Sequence, residues 1–253
     1  MKGYNFDGVK TAVRFLTIFN PWGSSGDLTK EKASAALPFF PVAGVVAGAA
    51  SAAVVIVLSV FVESSFALAA IAVAGLAVVT RGLHLDGVGD CFDALHYFGD
   101  KDRALEVMKD TRLGSFGVSA VAFVIVAKIL ALGSVSPNFF TAALVAVPAI
   151  SRLGSVIVSY MSDGKWSDSG GLARRFNFGG DTEIALRATI VAFAIAFVLC
   201  GFGGIGIVLL VSVAAFFLTR FFKTAFGEPN GDVHGAVIEI CEVFGFMVAG
   251  KML

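Results

Sequence analysis

The stretch FPVAGVVAGAASAAVVIVLSVFV, Phe40–Val62, contains no charged residue. A helix needs about 20 mainly apolar residues to cross the hydrocarbon of a bilayer, so this segment alone is long enough to span one. The rest of the chain repeats the pattern. Of its 253 residues 57% are hydrophobic and only 15% charged, and the mean hydropathy is +0.86. A soluble domain of this length needs more polar exterior than that. Six further apolar runs follow: Phe66–Leu83, Ser115–Val135, Phe139–Met161, Ile184–Gly201, Ile205–Phe222 and Ala236–Ala249. The last is short and contains two glutamates. The expected fold is therefore all-α, one membrane-embedded domain over residues 1–253. It is a polytopic helical bundle of about seven transmembrane helices with its active-site loops on the cytoplasmic side, and the lipid bilayer is its first partner.

Tight connections such as ESS at Glu63 and SVSPN at Ser134 predict antiparallel hairpins, in which each helix satisfies its own backbone groups. Gly44, Gly48 and Gly75 within the runs permit close helix approach. Lysines and arginines fall in the N-terminal segment and in the loops 84–114, 162–183 and 223–235, while the three opposite connections carry none. The positive-inside rule places those four regions in the cytoplasm and the C-terminus on the other side, with Lys251 the exception. The apolar run Phe15–Phe19 is too short for a signal-peptide core, so the N-terminal segment is expected to be retained. A net charge of +0 gives no reason to expect a nucleic-acid partner. Three widely spaced cysteines make neither a disulfide framework nor a zinc cluster. The sequence is compatible with a homo-oligomer.

The carboxylates concentrate on the predicted cytoplasmic face. In RGLHLDGVGDCFDALHYFGD (81–100), Asp86, Asp90 and Asp93 stand at i, i+4 and i+7 of a helix continuing from the second span. They share one face, where three uncompensated carboxylates repel one another unless a cation lies between them. Oxygen-only ligands suit a hard cation, and Mg²⁺ prefers a few carboxylates plus substrate phosphates. Gly87 and Gly89 remove bulk beside them. The competing explanation is an ordinary solvated face, against which stands the cost of placing charge next to an apolar span. The spacing of His84, Cys91 and His96 matches no common zinc site.

Further polar residues extend this pattern. MKDTRLGSFG (108–117) offers Lys109 and Arg112 for phosphate oxygens, or as topology signals, with Asp110 between them and Gly114 and Gly117 at a helix start. Lys128 and Arg152 lie inside predicted spans, either facing a polar cavity or snorkelling to an interface. The glycines around Gly171, with Arg174 and Arg175, form a loop that either closes over an anion or is simply mobile. GEPNGDVHGAVIEICEVF (227–244) sets Asp232, Glu239 and Glu242 roughly along one helical face, as a second acidic site.

These segments together resemble the cobalamin synthase family, also called the adenosylcobinamide-GDP ribazoletransferases. HLDGVGDCFDAL is similar to the family's H-L-D-G-x-x-D-x-x-D-G-x, aligning His84, Asp86, Gly87, Asp90 and Asp93. MKDTRLGSFG resembles M-x-D-S-R-x-G-x-x-G, and NGDVHGAVIEICE resembles G-D-x-x-G-A-x-x-E-x-x-E. FFPVAGVVAG (39–48), AKIL at Ala127, SR at Ser151 and GGL near Gly171 with Phe176 fall in the family's order. Ala94 and Ala173 replace usual glycines, and FLTIFNPW replaces a T-R-x-P segment.

The resemblance implies that adenosylcobinamide-GDP and α-ribazole, or its 5′-phosphate, yield adenosylcobalamin or its 5′-phosphate and GMP, with Mg²⁺ as cofactor. On that footing Asp86, Asp90 and Asp93 are expected to hold the metal, with Asp110 completing the site or acting as base. Lys109 and Arg112 are expected to stabilise phosphates, and His84 to assist proton removal or orient a neighbour. Asp232 and Glu239 are expected to hold a second cation or the incoming ribazole. Two other readings fit parts of the sequence. A prenyl-diphosphate or CDP-alcohol transferase shares the aspartate-rich helix but not the paired second motif. A cation transporter requires carboxylates at mid-span, whereas most here lie at one membrane face.

Overall fold

The computed structural model describes residues 2–23, 27–110, 112–164 and 176–253, and among them every regular element is a helix. α1 (Lys2–Leu16), α2 (Lys30–Ala36) and the 3₁₀ turn Leu37–Phe39 precede α3 (Phe40–Leu58). There follow α4 (Ser65–Val79), α5 (Leu83–Leu95), α6 (Lys101–Val107), α7 (Ser115–Gly133), α8 (Phe140–Tyr160), α9 (Thr182–Phe226) and α10 (Gly231–Met252). Local chemistry sets the helix starts. Ser64, Asp181 and Asn230 each accept a hydrogen bond from a first-turn amide, satisfying one donor that no helical carbonyl reaches.

Five helices are individually long and apolar enough to cross a membrane, and the bent α4–α5 pair makes six. The seventh pass is inside α9. A straight helix of 45 residues would run about 67 Å, roughly twice the apolar thickness of a bilayer. Gly201 breaks it, with φ 57° and ψ −142°. A Cβ on Gly204 would lie 2.7 Å from the carbonyl carbon of Ala196, eight residues back, so the chain reverses there. Lys223 Nζ accordingly reaches the Met161 carbonyl at 2.7 Å, although the Gly180 amide bonds Tyr160 at the other end of α9. The two arms of α9, 182–200 and 202–226, thus reproduce the two separate spans expected from the sequence. α10 is longer than Ala236–Ala249, and as Gly231–Met252 it is long and apolar enough to cross.

The seven passes sort the loops onto two faces. The ends of α1, α4, α8 and α9 and the starts of α3, α7 and α10 share one face, called here the site face. The opposite face gathers Gly133 with Phe66, Gly250 with Ser134, and Gly203 with the last residues of α10. The second span differs from its sequence expectation. Helix α4 stops at Val79, and α5 leaves it at 91° instead of continuing. The Gly82 amide bonds the Ala77 carbonyl and the Arg81 amide bonds that of Val78, the closing pattern of a helix C-terminus. Arg81 occupies the left-handed position of that cap at φ 58°, with Gly82 at φ 67°. This conformation costs a non-glycine residue about 1–2 kcal/mol, and the Arg81 guanidinium bonds the carbonyl of Thr17, the residue after α1, at 3.3 Å.

At the centre of the bundle α3 lies directly against α8. A Cβ on Gly44 would stand 2.5 Å from Ala149 Cα, and one on Gly48 2.5 Å from the Leu144 carbonyl oxygen. Lipid supplies no hydrophobic drive between helices, so this close backbone packing is the attraction. Gly48→Val therefore forces two backbones apart and is expected to destabilise by about 3 kcal/mol or more. Ala49→Val, on the exposed side of the same helix, is expected to leave the melting temperature in detergent within a few degrees of wild type.

Candidate active site

Two helices that meet almost edge to edge build the acidic site. Gly87 on α5 has no side chain, and a Cβ there would stand 2.6 Å from the Asp232 carbonyl oxygen in the first turn of α10. Gly235 repeats the contact one turn on, 3.1 Å from His84 Cα. Asp86 and Asp90 on α5 thereby come beside Asp232. Burial first, then the charges of Asp232, Asp86 and Asp93, push the Asp90 carboxyl up to about 7. Repulsion of this kind is relieved by a cation.

Asp93 sits on the same helical face but has other duties. Its Oδ2 accepts from the Gly114 amide at 2.6 Å and its Oδ1 from the Gly117 amide at 2.8 Å. It caps α7 from a neighbouring helix, and both glycines leave room for its carboxylate. The amides at this helix start thus face a carboxylate of the protein itself. Among the described residues, no three His, Cys, Asp or Glu side chains by themselves cage an ion.

Asp110 and Arg112 pair with each other at the exposed surface. The guanidinium donates to Asp110 at 3.1 and 2.9 Å, and these bonds hold its carboxyl down at about 2. Lys109 is exposed on the same short loop, and none of the three lines the cavities described below. Gly171 lies outside the described residues.

Lys128, Arg152, Glu239 and Glu242 come together, but with one another. Lys128 Nζ lies 2.5 Å from Glu239 Oε2 and 2.5 Å from Glu242 Oε2, and Arg152 donates to Glu242 Oε1 and to the Pro148 carbonyl. All four are buried, and two cations balance two anions. His84 touches this group through Nδ1, 3.5 Å from an Arg152 nitrogen. The four thus form a neutral ionic cluster beneath the acidic site.

Two cavities flank Asp86. One of about 820 Å³ is bounded by α1, the Arg81–Leu85 turn and α7, and both Arg14 and Arg81 line it. The other, of about 320 Å³, lies between α1, α3, α5 and α10 and is lined by Phe15, Phe40, Phe176, His84, Asp232 and His234 among others. Asp86 belongs to both. His234 was not anticipated, nor were its partners. Asn177 donates from Nδ2 to the Pro229 carbonyl, so its Oδ1 accepts from His234 Nε2 at 3.0 Å. His234 Nδ1 then accepts from the Ser155 hydroxyl at 2.7 Å. The available signal was a histidine two residues after Asp232 at the head of an apolar span.

Removing one partner of a buried ion pair leaves an uncompensated charge and costs about 3–5 kcal/mol. Glu242→Leu strands Lys128 and Arg152 against a single glutamate, so thermal unfolding in detergent is expected to shift down strongly. The Lys128→Met/Glu242→Leu double variant is expected to recover part of that loss, because Arg152 and Glu239 still balance.

A model of the family described as cobalamin-5-phosphate synthase matches residues 8–250. A protein of Syntrophobacter fumaroxidans named adenosylcobinamide-GDP ribazoletransferase is 36% identical over 250 residues, 96% of this chain and 97% of its own. Proteins of the same name from Roseiflexus sp. and Escherichia coli K12 are each 32% identical, covering 94% and 90% of this chain and 87% and 92% of theirs. No solved structure matches. A match that runs nearly end to end, with the acidic helix and the head of α10 both inside it, leaves one assignment: the chain belongs to the cobalamin-5-phosphate synthase family.

Proposed function

We propose that the chain transfers the cobinamide phosphate of adenosylcobinamide-GDP to the 3′-hydroxyl of α-ribazole, or of its 5′-phosphate, and releases GMP. This is the step that assembles the nucleotide loop of cobalamin. One observation carries the reading: Asp86, Asp90 and Asp232 meet from two helices beside two cavities, in a chain whose relatives bear that activity in their names. The prenyl- and CDP-alcohol transferase and transporter readings have no such support.

In the reaction the ribose hydroxyl oxygen bonds to the phosphorus on the cobinamide arm. The bond from that phosphorus to the bridging oxygen breaks, and its electrons leave with GMP. The hydroxyl proton passes to a carboxylate of the acidic site. Asp110 is poorly suited to receive it, because Arg112 holds it ionised down to about 2.

The donor set fits Mg²⁺. Asp86, Asp90 and Asp232 offer oxygen alone and lie close enough to repel one another, and Mg²⁺ takes a few carboxylates while keeping sites for substrate phosphates. These three residues would hold it, with Asp93 positioning α7 against α5. The chemistry it supplies when bound is neutralisation of charge on the diphosphate and the departing GMP. We place the site face in the cytoplasm of a cell membrane, supported by the lysines and arginines of its loops.

The deciding assay mixes purified protein, adenosylcobinamide-GDP, α-ribazole and Mg²⁺ and follows GMP. Asp90→Asn is expected to reduce turnover about 100-fold, some 2.7 kcal/mol of barrier, and near-normal turnover at saturating Mg²⁺ sinks the metal assignment. The pH dependence follows in sign. Asp90 keeps its proton until the pH passes about 7 in the cation-free protein, and a metal ligand must be deprotonated. Mg²⁺ affinity, measured by calorimetry, is expected to rise from about pH 6 to pH 8 and to lose most of that slope in Asp90→Asn.

A further inference from the structure

We propose that the two cavities divide the substrates. The 320 Å³ cavity takes the aromatic base and ribose of ribazole, the 820 Å³ cavity takes the corrinoid-linked diphosphate, and the reacting atoms meet at Asp86. This division rests on the reaction proposed above.

Size decides first. Sites for single drug-sized ligands begin at about 300 Å³, so the smaller cavity has room for one nucleoside and none for a corrin ring joined to GDP. Charge decides next. Among the described residues no lysine or arginine lines the smaller cavity. Arg14 and Arg81 line the larger one, together with apolar Leu28, Leu85, Leu113 and Val121. Guanidinium groups suit phosphate oxygens, and the leucines suit the apolar edge of a macrocycle.

The smaller cavity also has the right surfaces in the right order. Phe15, Phe40 and Phe176 form one wall, with ring centroids 4.4 Å apart for Phe15–Phe176 and 5.2 Å for Phe40–Phe176. A flat aromatic base stacks or packs edge-on against such rings. At the polar end stands His84. Arginine only donates, so His84 Nδ1 accepts from Arg152 at 3.5 Å and the ring proton sits on Nε2. Nε2 has no partner among the described residues, in a residue only 2% exposed that lines this cavity. A buried donor left open is costly unless a ligand meets it. A ribose oxygen is the acceptor that places the sugar beside Asp86. In this arrangement His84 orients the ribose as a donor and is not the base.

Two measurements test the division. Phe176→Leu and Phe40→Leu are expected to raise KM for α-ribazole about tenfold, the loss of roughly one aromatic contact. KM for adenosylcobinamide-GDP is expected to stay within about twofold, which also shows that the variants fold. An aryl-azide derivative of α-ribazole, photolysed on the wild-type protein, avoids any folding question. Its label is expected on Phe176 or within residues 230–238. Labelling elsewhere, or none, overturns the division, as do two KM values that move together or a change confined to the corrinoid. If the wild-type protein releases no GMP from the authentic pair, the reaction assignment itself falls instead.

Discussion

At Gly87 the backbone of α5 lies so close to Asp232 that there is no space for a side chain. Much of the site depends on that approach. It brings carboxylates from segments some 140 residues apart in sequence to one place. The approach depends in turn on the turn before it. If α4 ran straight into α5, the aspartates would continue along the span axis and miss the head of α10. Arg81 and Gly82 in left-handed conformations turn the chain by 91° and lay α5 across the bundle. A strained non-glycine residue persists only where its surroundings hold it. Here the hold is the guanidinium bond to Thr17, which also ties α1 to the site face.

The spans were legible because membrane crossing is a constraint of length and composition, and seven apolar runs with sorted positive charge satisfy it in one way. Even the reversal at Gly201 was readable, since one run of that length does not fit a bilayer. The turn at Arg81 was not. Helix caps of this kind usually place glycine in the left-handed position, and in this chain the glycine comes one residue later. At the acidic site, spacing placed Asp86, Asp90 and Asp93 correctly on one face of α5. Spacing does not say what a carboxylate meets, so the bonds from Asp93 to the amides of Gly114 and Gly117 were out of reach. The aromatic wall draws Phe15, Phe40 and Phe176 from three distant segments. The His234–Asn177–Ser155 chain likewise joins three elements, and only tertiary packing reveals either grouping.

The buried cluster shows why ionisable residues inside spans proved so ambiguous. An intramembrane charge is expensive and is a sign of function by default, so Lys128 and Arg152 read as facing a polar cavity and Glu239 and Glu242 as part of a second acidic site. Two cations against two anions leave no net charge to offer a ligand. Stability alone does not account for them, because well-packed apolar residues commonly replace a buried ion pair without loss. Their position supplies a reason. Glu239 and Glu242 follow Asp232 on α10 by seven and ten residues, about 10 and 15 Å along the axis, so the cluster lies directly beneath the site. Arg152, held by Glu242 and the Pro148 carbonyl, presents a donor to His84 Nδ1 at 3.5 Å and so favours the tautomer with its proton on Nε2. A leucine or methionine in its place would fill the space and leave the imidazole free to take either tautomer. The charges buried in the bundle thus reach the lining of the cavity through His84, whose Nδ1 they engage.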